Sequence, residues 1–95
     1  MGSSRRHYLP EFEWDEANEQ KILDCHDVSA REAEECFANP HTKKRAGDAM
    51  LMLGMTDDGR MLFLVYERKP GGVVRVYSAR NQTARERAVY HRWAR

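Results

Sequence analysis

Cysteine is scarce in this chain, with Cys25 and Cys36 the only two thiols in 95 residues. Two cysteines make an odd disulfide framework for a reducing compartment. Each lies in a helix-like pattern and reads as a small buried side chain. A zinc site from Cys25, His26, Cys36 and His41 lacks any C-x-x-C or H-x-x-x-H spacing, and nothing resembles a carboxylate cage for magnesium. No metal and no cofactor are expected. Long apolar runs are missing too. None approaches the ~20 residues that cross a bilayer, and the opening MGSSRRHYLP has no apolar h-region of a secretory signal. The expectation is a cytoplasmic protein without a membrane partner, and residues 1–4 are given no functional weight. An excess of charge of one sign is also absent. The formal net charge is +1, so the molecule as a whole is not a generic polyanion binder.

What is present fits one domain over residues 1–95, with 1–10 as a flexible lead-in. One-third of the residues are charged and the apolar fraction is ordinary, which suits a globular chain rather than a disordered one. The charges are unevenly spread. Acidic residues crowd positions 11–35, whereas 43–95 is markedly basic. That asymmetry suggests a basic face for nucleic acid or an acidic protein partner; a solvated surface of mixed ion pairs is the alternative.

In chain order, Phe12-Glu13-Trp14 reads as a short strand or extended lead-in, and Asp15 as the N-cap of a first helix reaching about His26. Ala17, Ile22 and Cys25 supply its apolar stripe. Ser29-Ala30-Arg31-Glu32 is a capping box for a second helix with Ala33, Cys36 and Phe37 at helical spacing, ended by Asn39-Pro40. His41 to Asp48 is a polar loop. Ala49 to Met55 and Met61 to Tyr66 form a hairpin about Thr56-Asp57-Asp58-Gly59. After Lys69-Pro70-Gly71-Gly72, the alternation of 73–78 points Val74 and Val76 one way and Arg75 and Tyr77 the other. Thr83-Ala84-Arg85-Glu86 is another capping box, opening a helix to Trp93 with Ala88, Val89 and Trp93 facing the sheet. Trp14 and Trp93 both read as core. The expected order is β-α-α-β-β-β-α, an α+β fold with helices packed on a small antiparallel sheet.

The densest set of reactive polar residues lies between Arg60 and Tyr90. Metal-free RNA cleavage needs a base for the ribose 2′-hydroxyl, cations for the phosphorane and an acid for the 5′-oxygen. Arg80, between a strand and a capped helix, is the first choice for the phosphorane, with Arg60 and Arg75 second. A surface ion pair is the alternative for each arginine taken singly. His26 is the candidate base or acid, or else hydrogen-bonds the backbone at its helix corner. Glu86 is a candidate base, or reaches back to Thr83 as a capping-box residue. Lys43, Lys44, Arg45, Arg68 and Arg87 are candidates for holding an RNA backbone. Tyr77 and Tyr90 stack on a base or contact phosphate, unless they are half-buried core.

The ordered set Phe12, Trp14-Asp15, His26, Val28, Ser29 to Ala33, Phe37 and Pro40, followed by Gly54, Thr56, Gly59-Arg60, Val65-Tyr66, Arg75, Ser78-Ala79-Arg80, Glu86-Arg87 and Tyr90, resembles the BrnT toxins. The resemblance spans about 12–90. It implies a RelE-like fold and a ribonuclease toxin of a type II toxin–antitoxin pair that inhibits translation. It also implies a BrnA-like antitoxin of ribbon-helix-helix type, in a two-plus-two heterotetramer that reaches DNA only through that antitoxin. The family usually has lysine-histidine-glycine-valine where this chain has Cys25-His26-Asp27-Val28, and asparagine at Ile22. Lys21, one turn before Cys25, shares its helix face and is the substitute cation for RNA. A second reading is a catalytically degenerate relative kept as a partner-binding or regulatory subunit.

Overall fold

Reciprocal caps start all three helices in the computed structural model, which describes residues 9–95. Helix α1 (Glu16–His26) is opened by Asp15, whose side chain takes the Asn18 amide while Asn18 returns the bond to the Asp15 amide. Helix α2 (Ala30–Ala38) is opened by Ser29 with Glu32, and α3 (Ala84–Trp93) by Thr83 with Glu86. Both capping boxes expected from the sequence are therefore formed. The lead-in over 1–10 lies outside the described residues except for Leu9 and Pro10.

Four strands form one antiparallel meander in the order β1 (Thr42–Ala46), β2 (Ala49–Met55), β3 (Met61–Arg68), β4 (Val74–Asn81). The fold is α+β as expected, but the order is α-α-β-β-β-β-α. Residues 12–14 make only one parallel bridge, Phe12 to Val74, beside β4. The segment read as a polar loop is instead the edge strand β1, closed onto β2 by a tight turn at Gly47. Its Lys43, Lys44 and Arg45 are exposed on both sides, so the apolar alternation that marks a strand is missing. Charged residues also guard such an edge against pairing with other chains.

Helices α1 and α2 cover one face of the sheet. Leu62, Leu64 and Tyr66 of β3, Val74, Val76 and Ala79 of β4 and Met52 of β2 meet Ile22, Val28, Ala33, Cys36 and Phe37 there. Gly54 lets α2 lie close against β2, since a Cβ at Gly54 would come within 2.7 Å of the Cys36 Cβ. Burial pushes the Cys36 thiol pKa up to about 12, which marks it as an inert core group. Cys25 is exposed, contrary to the reading of both thiols as buried.

The expected stripe on α1 also changes. Ala17 and Cys25 face solvent, and the buried positions are Asn18 and Ile22. Asn18 is tolerated there because its amide donates to the carbonyls of Glu13 and Val76. On α3 the expected sheet-facing residues Ala88, Val89 and Trp93 are exposed, Trp93 at 56%. The anchor is Tyr90, buried with its hydroxyl donating to the Pro40 carbonyl at 3.0 Å. Trp14 is half-buried, with Phe12 against the core, and donates to Glu34 at 2.7 Å.

One irregularity decides which way the end of β4 faces. Between Val65 and Tyr66 the β3–β4 register slips, so Tyr66 pairs with Val76 but Val65 with Ser78, leaving Tyr77 as the extra residue. Strict alternation from Val74 and Val76 would send Arg80 into the core. The bulge reverses the phase, burying Ala79 and placing Arg80 opposite Phe63 on the face that α1 and α2 leave open.

Candidate ribonuclease site

Arg80 stands on that open face under three restraints. Its guanidinium carbon lies 4.2 Å from the centre of the Phe63 ring. Its two terminal nitrogens donate to the two carboxylate oxygens of Glu86 at 2.9 and 3.0 Å, and one also donates to the Asn81 carbonyl at 3.0 Å. The hydrogen bonds to Glu86 hold the Arg80 pKa above its ordinary value, and the same bonds hold Glu86 below the usual carboxylate range. Glu86 also accepts the Thr83 amide at 2.9 Å. A carboxylate so engaged is a poor proton acceptor. Its capping role, one of the two readings of the sequence, is realised, and it orients Arg80 besides.

Arg60 joins this arrangement through Asn81, whose side-chain oxygen accepts the Arg60 Nε–H at 2.9 Å. The rest of the guanidinium faces the corner between α1 and α2. It donates to the carbonyls of Asp27 at 2.7 Å and His26 at 3.1 Å, and to Glu32 at 3.2 Å. Arg60 thus caps the carbonyl end of α1 with a cation and ties it to the start of α2. Partial burial pushes the Glu32 carboxyl up, but the Ser29 amide and Arg60 outweigh it and bring the pKa below the ordinary value.

The corner itself turns on Asp27, the C-cap of α1, at φ 54° and ψ 43°. This is the left-handed conformation that glycine adopts freely and aspartate tolerates better than most residues. A glycine would adopt this turn without strain, and Asp27 makes it with its side chain in place. His26 is exposed beside it. Arg60, Asn81, Arg80 and Glu86 form one connected chain of contacts, which brings together three of the five candidate catalytic side chains; His26 joins it by its backbone carbonyl.

Arg75 is not part of it. Its guanidinium bridges Asp15 at 3.0 and 3.3 Å and Glu13 at 3.3 Å, while Lys69 holds the same Glu13 oxygen at 2.8 Å. This network fastens the lead-in to β4, with the Arg75 side chain only 17% exposed. Tyr77 donates to Glu67 in the same region. Tyr90 is the buried anchor of α3, so the reading of it as core applies. Arg87 donates to the Gln82 carbonyl at 3.0 Å. Arg68 and Lys21 are exposed at the end of β3 and on α1. Lys43, Lys44 and Arg45 line the free edge of β1.

Three residues of the site escaped the sequence reading. Phe63 lies unremarked in the Met61–Tyr66 strand, Asn81 has no assigned role, and Glu32 reads only as a cap. Alternation against Leu62 and Leu64 already places Phe63 on the open face. No local signal marks Asn81 as the junction between two arginines.

The sequence model of the family described as ribonuclease toxin, BrnT, of type II toxin–antitoxin system matches residues 14–86. That span runs from Trp14 to Glu86 and includes the helix corner and all of β4. No curated protein matches the chain. Among the described residues, no helix is long and apolar enough to cross a membrane.

Proposed function

Because this chain belongs to the BrnT family of ribonuclease toxins from type II toxin–antitoxin systems, we propose that it cleaves RNA without metal, with Arg80 as its principal phosphate-binding cation. The family assigns an RNA substrate and an antitoxin partner. The observation that carries the finer reading is the placement of Arg80. A bulge turns it outward, the Phe63 ring lies against its guanidinium, and Glu86 holds its two terminal nitrogens.

In this reading the ribose 2′-oxygen attacks phosphorus as its proton leaves, the bond to the 5′-oxygen breaks, and that oxygen takes a proton. Arg80 holds the equatorial oxygens as negative charge builds on them. His26, exposed at the corner that Arg60 fastens, transfers the proton. Arg60 is a positioning residue in this scheme, since its donors are already directed at the corner and at Asn81. Lys44, on the same sheet face as Arg80, holds the flanking RNA backbone. The cytoplasm is the compartment where both RNA and the antitoxin, taken to be BrnA-like, are met.

A second reading is favoured by one observation: Cys25, where the resemblance to the BrnT toxins implies lysine, is an exposed thiol. A chain lacking that cation would serve as a partner-binding subunit. The test is cleavage of a labelled RNA in EDTA by the protein and by Arg80→Ala of matched thermal stability. Cleavage by the first alone supports the ribonuclease reading. Cleavage by neither, followed by gain of activity in Cys25→Lys, supports the second.

A further inference from the structure

The open sheet face continues past Arg80 into a groove of about 440 Å³ between β1, β2 and α3. Leu51, Leu53 and Phe63 lie along its sheet side and Val89 along its helix side. The register lines up Thr42, Leu53, Phe63 and Arg80 in one row across all four strands, and Lys44, Leu51 and Val65 in the next. Lys44 and Arg85 rim the groove, while Lys43, in register with the buried Met52, borders it through the strand and directs its side chain to the other face. The one carboxylate in its lining, Glu86, is already taken by Arg80 and Thr83. Nothing among the described residues fills it, and Val89 is 41% exposed.

An RNA base is a poor occupant for this surface. Bases are held by stacking on aromatic faces, and Phe63, the only aromatic residue in the lining, already carries the Arg80 guanidinium. Leucine and valine walls suit aliphatic side chains. Cations on the rim, with no free carboxylate between them, call for carboxylates on the occupant. The edge strand repels a second copy of itself, because three consecutive cations would face three others.

We propose that this groove is the docking site for an amphipathic, acid-flanked helix of the antitoxin. Aliphatic anchors at helical spacing lie on Leu51, Leu53 and Val89, and carboxylates pair with Lys44 and Arg85. An occupant seated there abuts the Phe63 ring and the Arg80–Glu86 pair, so it covers the phosphate-binding cation as it binds. The inference rests on the family's antitoxin partner, and it gives neutralisation a direct steric and electrostatic cause.

The test uses the purified protein and a BrnA-type antitoxin that forms a complex with it. Affinity is measured at several salt concentrations for wild type, Val89→Asp and Lys44→Glu, together with hydrogen exchange of the complex. Val89 is exposed, so Val89→Asp keeps the fold, checked by its melting curve, and its RNA cleavage stays within about twofold. The expected result is antitoxin affinity weakened about tenfold or more by each substitution, a shallower salt dependence for Lys44→Glu, and protection over 42–53 and 84–93. Unchanged affinity in Val89→Asp, or protection confined to α1 and α2, overturns the proposal. So does an RNA oligonucleotide losing affinity in Val89→Asp while the antitoxin keeps it, or a self-association that Val89→Asp abolishes. Because the readout is binding, loss of RNA cleavage with intact docking would refute only the ribonuclease reading.

Discussion

Arg60 and Arg80 are joined through the same asparagine, yet they have opposite surroundings. Arg60 faces two backbone carbonyls, the Asn81 side chain and Glu32, all belonging to elements that must be held together. Arg80 faces one carboxylate, one ring and the neighbouring Asn81 carbonyl, and stands beside an open groove. A guanidinium whose donors tie three elements together, as Arg60 ties α1, α2 and β4, is a fastener. One whose plane is fixed by a ring and a fork-on-fork contact, beside unfilled space, is poised to bind. Arg75 belongs with Arg60 in this respect, because its bonds to Glu13 and Asp15 secure the lead-in. The three arginines looked alike as residues near one strand pair, and their partners separate them.

The largest expected effect tests that separation directly. Arg80→Ala should lower RNA cleavage about 10²–10³-fold, the magnitude found when one preorganised donor to a developing oxyanion is removed. Its melting temperature should fall by only a few degrees, since a partly exposed ion pair contributes about 0.2–1 kcal/mol. Arg60→Ala should show the reverse balance in denaturant titration. It should lose about 2 kcal/mol of stability, because several hydrogen bonds to a charged group go at once. Its cleavage should fall in step with the disordering of the corner. Loss of cleavage in Arg60→Ala at unchanged stability would move Arg60 into the group that touches the phosphate.

The helices and the central strands were legible because each is announced by local chemistry. Ser29 with Glu32 and Thr83 with Glu86 are reciprocal caps, and the β3 run is unbroken and apolar. The edge strand was not legible, because Lys43, Lys44 and Arg45 owe their extended form to the β2 ladder rather than to their own pattern. The face of Arg80 was not legible either. It depends on a bulge at Tyr77 that no turn residue marks, and a strict period of two assigns it inward. The proximity of Arg60 to Arg80 could be guessed from strands in one sheet. The distance of Arg75 from the site could not, since it is set by Glu13 and Asp15 in a segment whose pairing is a single bridge. Trp93 was misassigned because α3 is fastened by the Tyr90 hydroxyl, leaving the adjoining apolar side chains uncovered.

A smaller effect sharpens the comparison at the corner itself. Asp27→Gly should stabilise the fold by about 0.5–1 kcal/mol in denaturant titration, since it relieves a left-handed residue of its side chain. The Arg60 bonds go to the backbone oxygens of His26 and Asp27, so they survive the change. Cleavage should therefore stay within about twofold in Asp27→Gly, whereas Cys25→Lys, which adds a cation beside His26, should raise it. A rise from Asp27→Gly alone would mean that the aspartate charge, rather than the missing lysine, restrains the site.

The smallest effect is the pH dependence of stability, and it reaches both arginines through their carboxylate partners. Glu32 and Glu86 each have a folded-state pKa below the ordinary carboxylate value. Their contribution is therefore complete above the unfolded value of about 4.3 and is lost as pH falls through the lower folded values. Melting temperature should be level near neutrality and decline on acidification below about pH 4.5. Glu86→Gln keeps a hydrogen-bonding cap for Thr83 but removes the charge that Arg80 meets. It should remove part of that decline, with a shift of under about 4 °C at pH 7, as expected for a partly exposed pair. Glu32→Gln should remove a similar part through Arg60. The two differ in what else they change: freed of its carboxylate, Arg80 in Glu86→Gln should bind a phosphate-bearing oligonucleotide at least as tightly as before. Weaker binding in Glu86→Gln would show that the carboxylate's hold on the guanidinium plane outweighs its competition with phosphate.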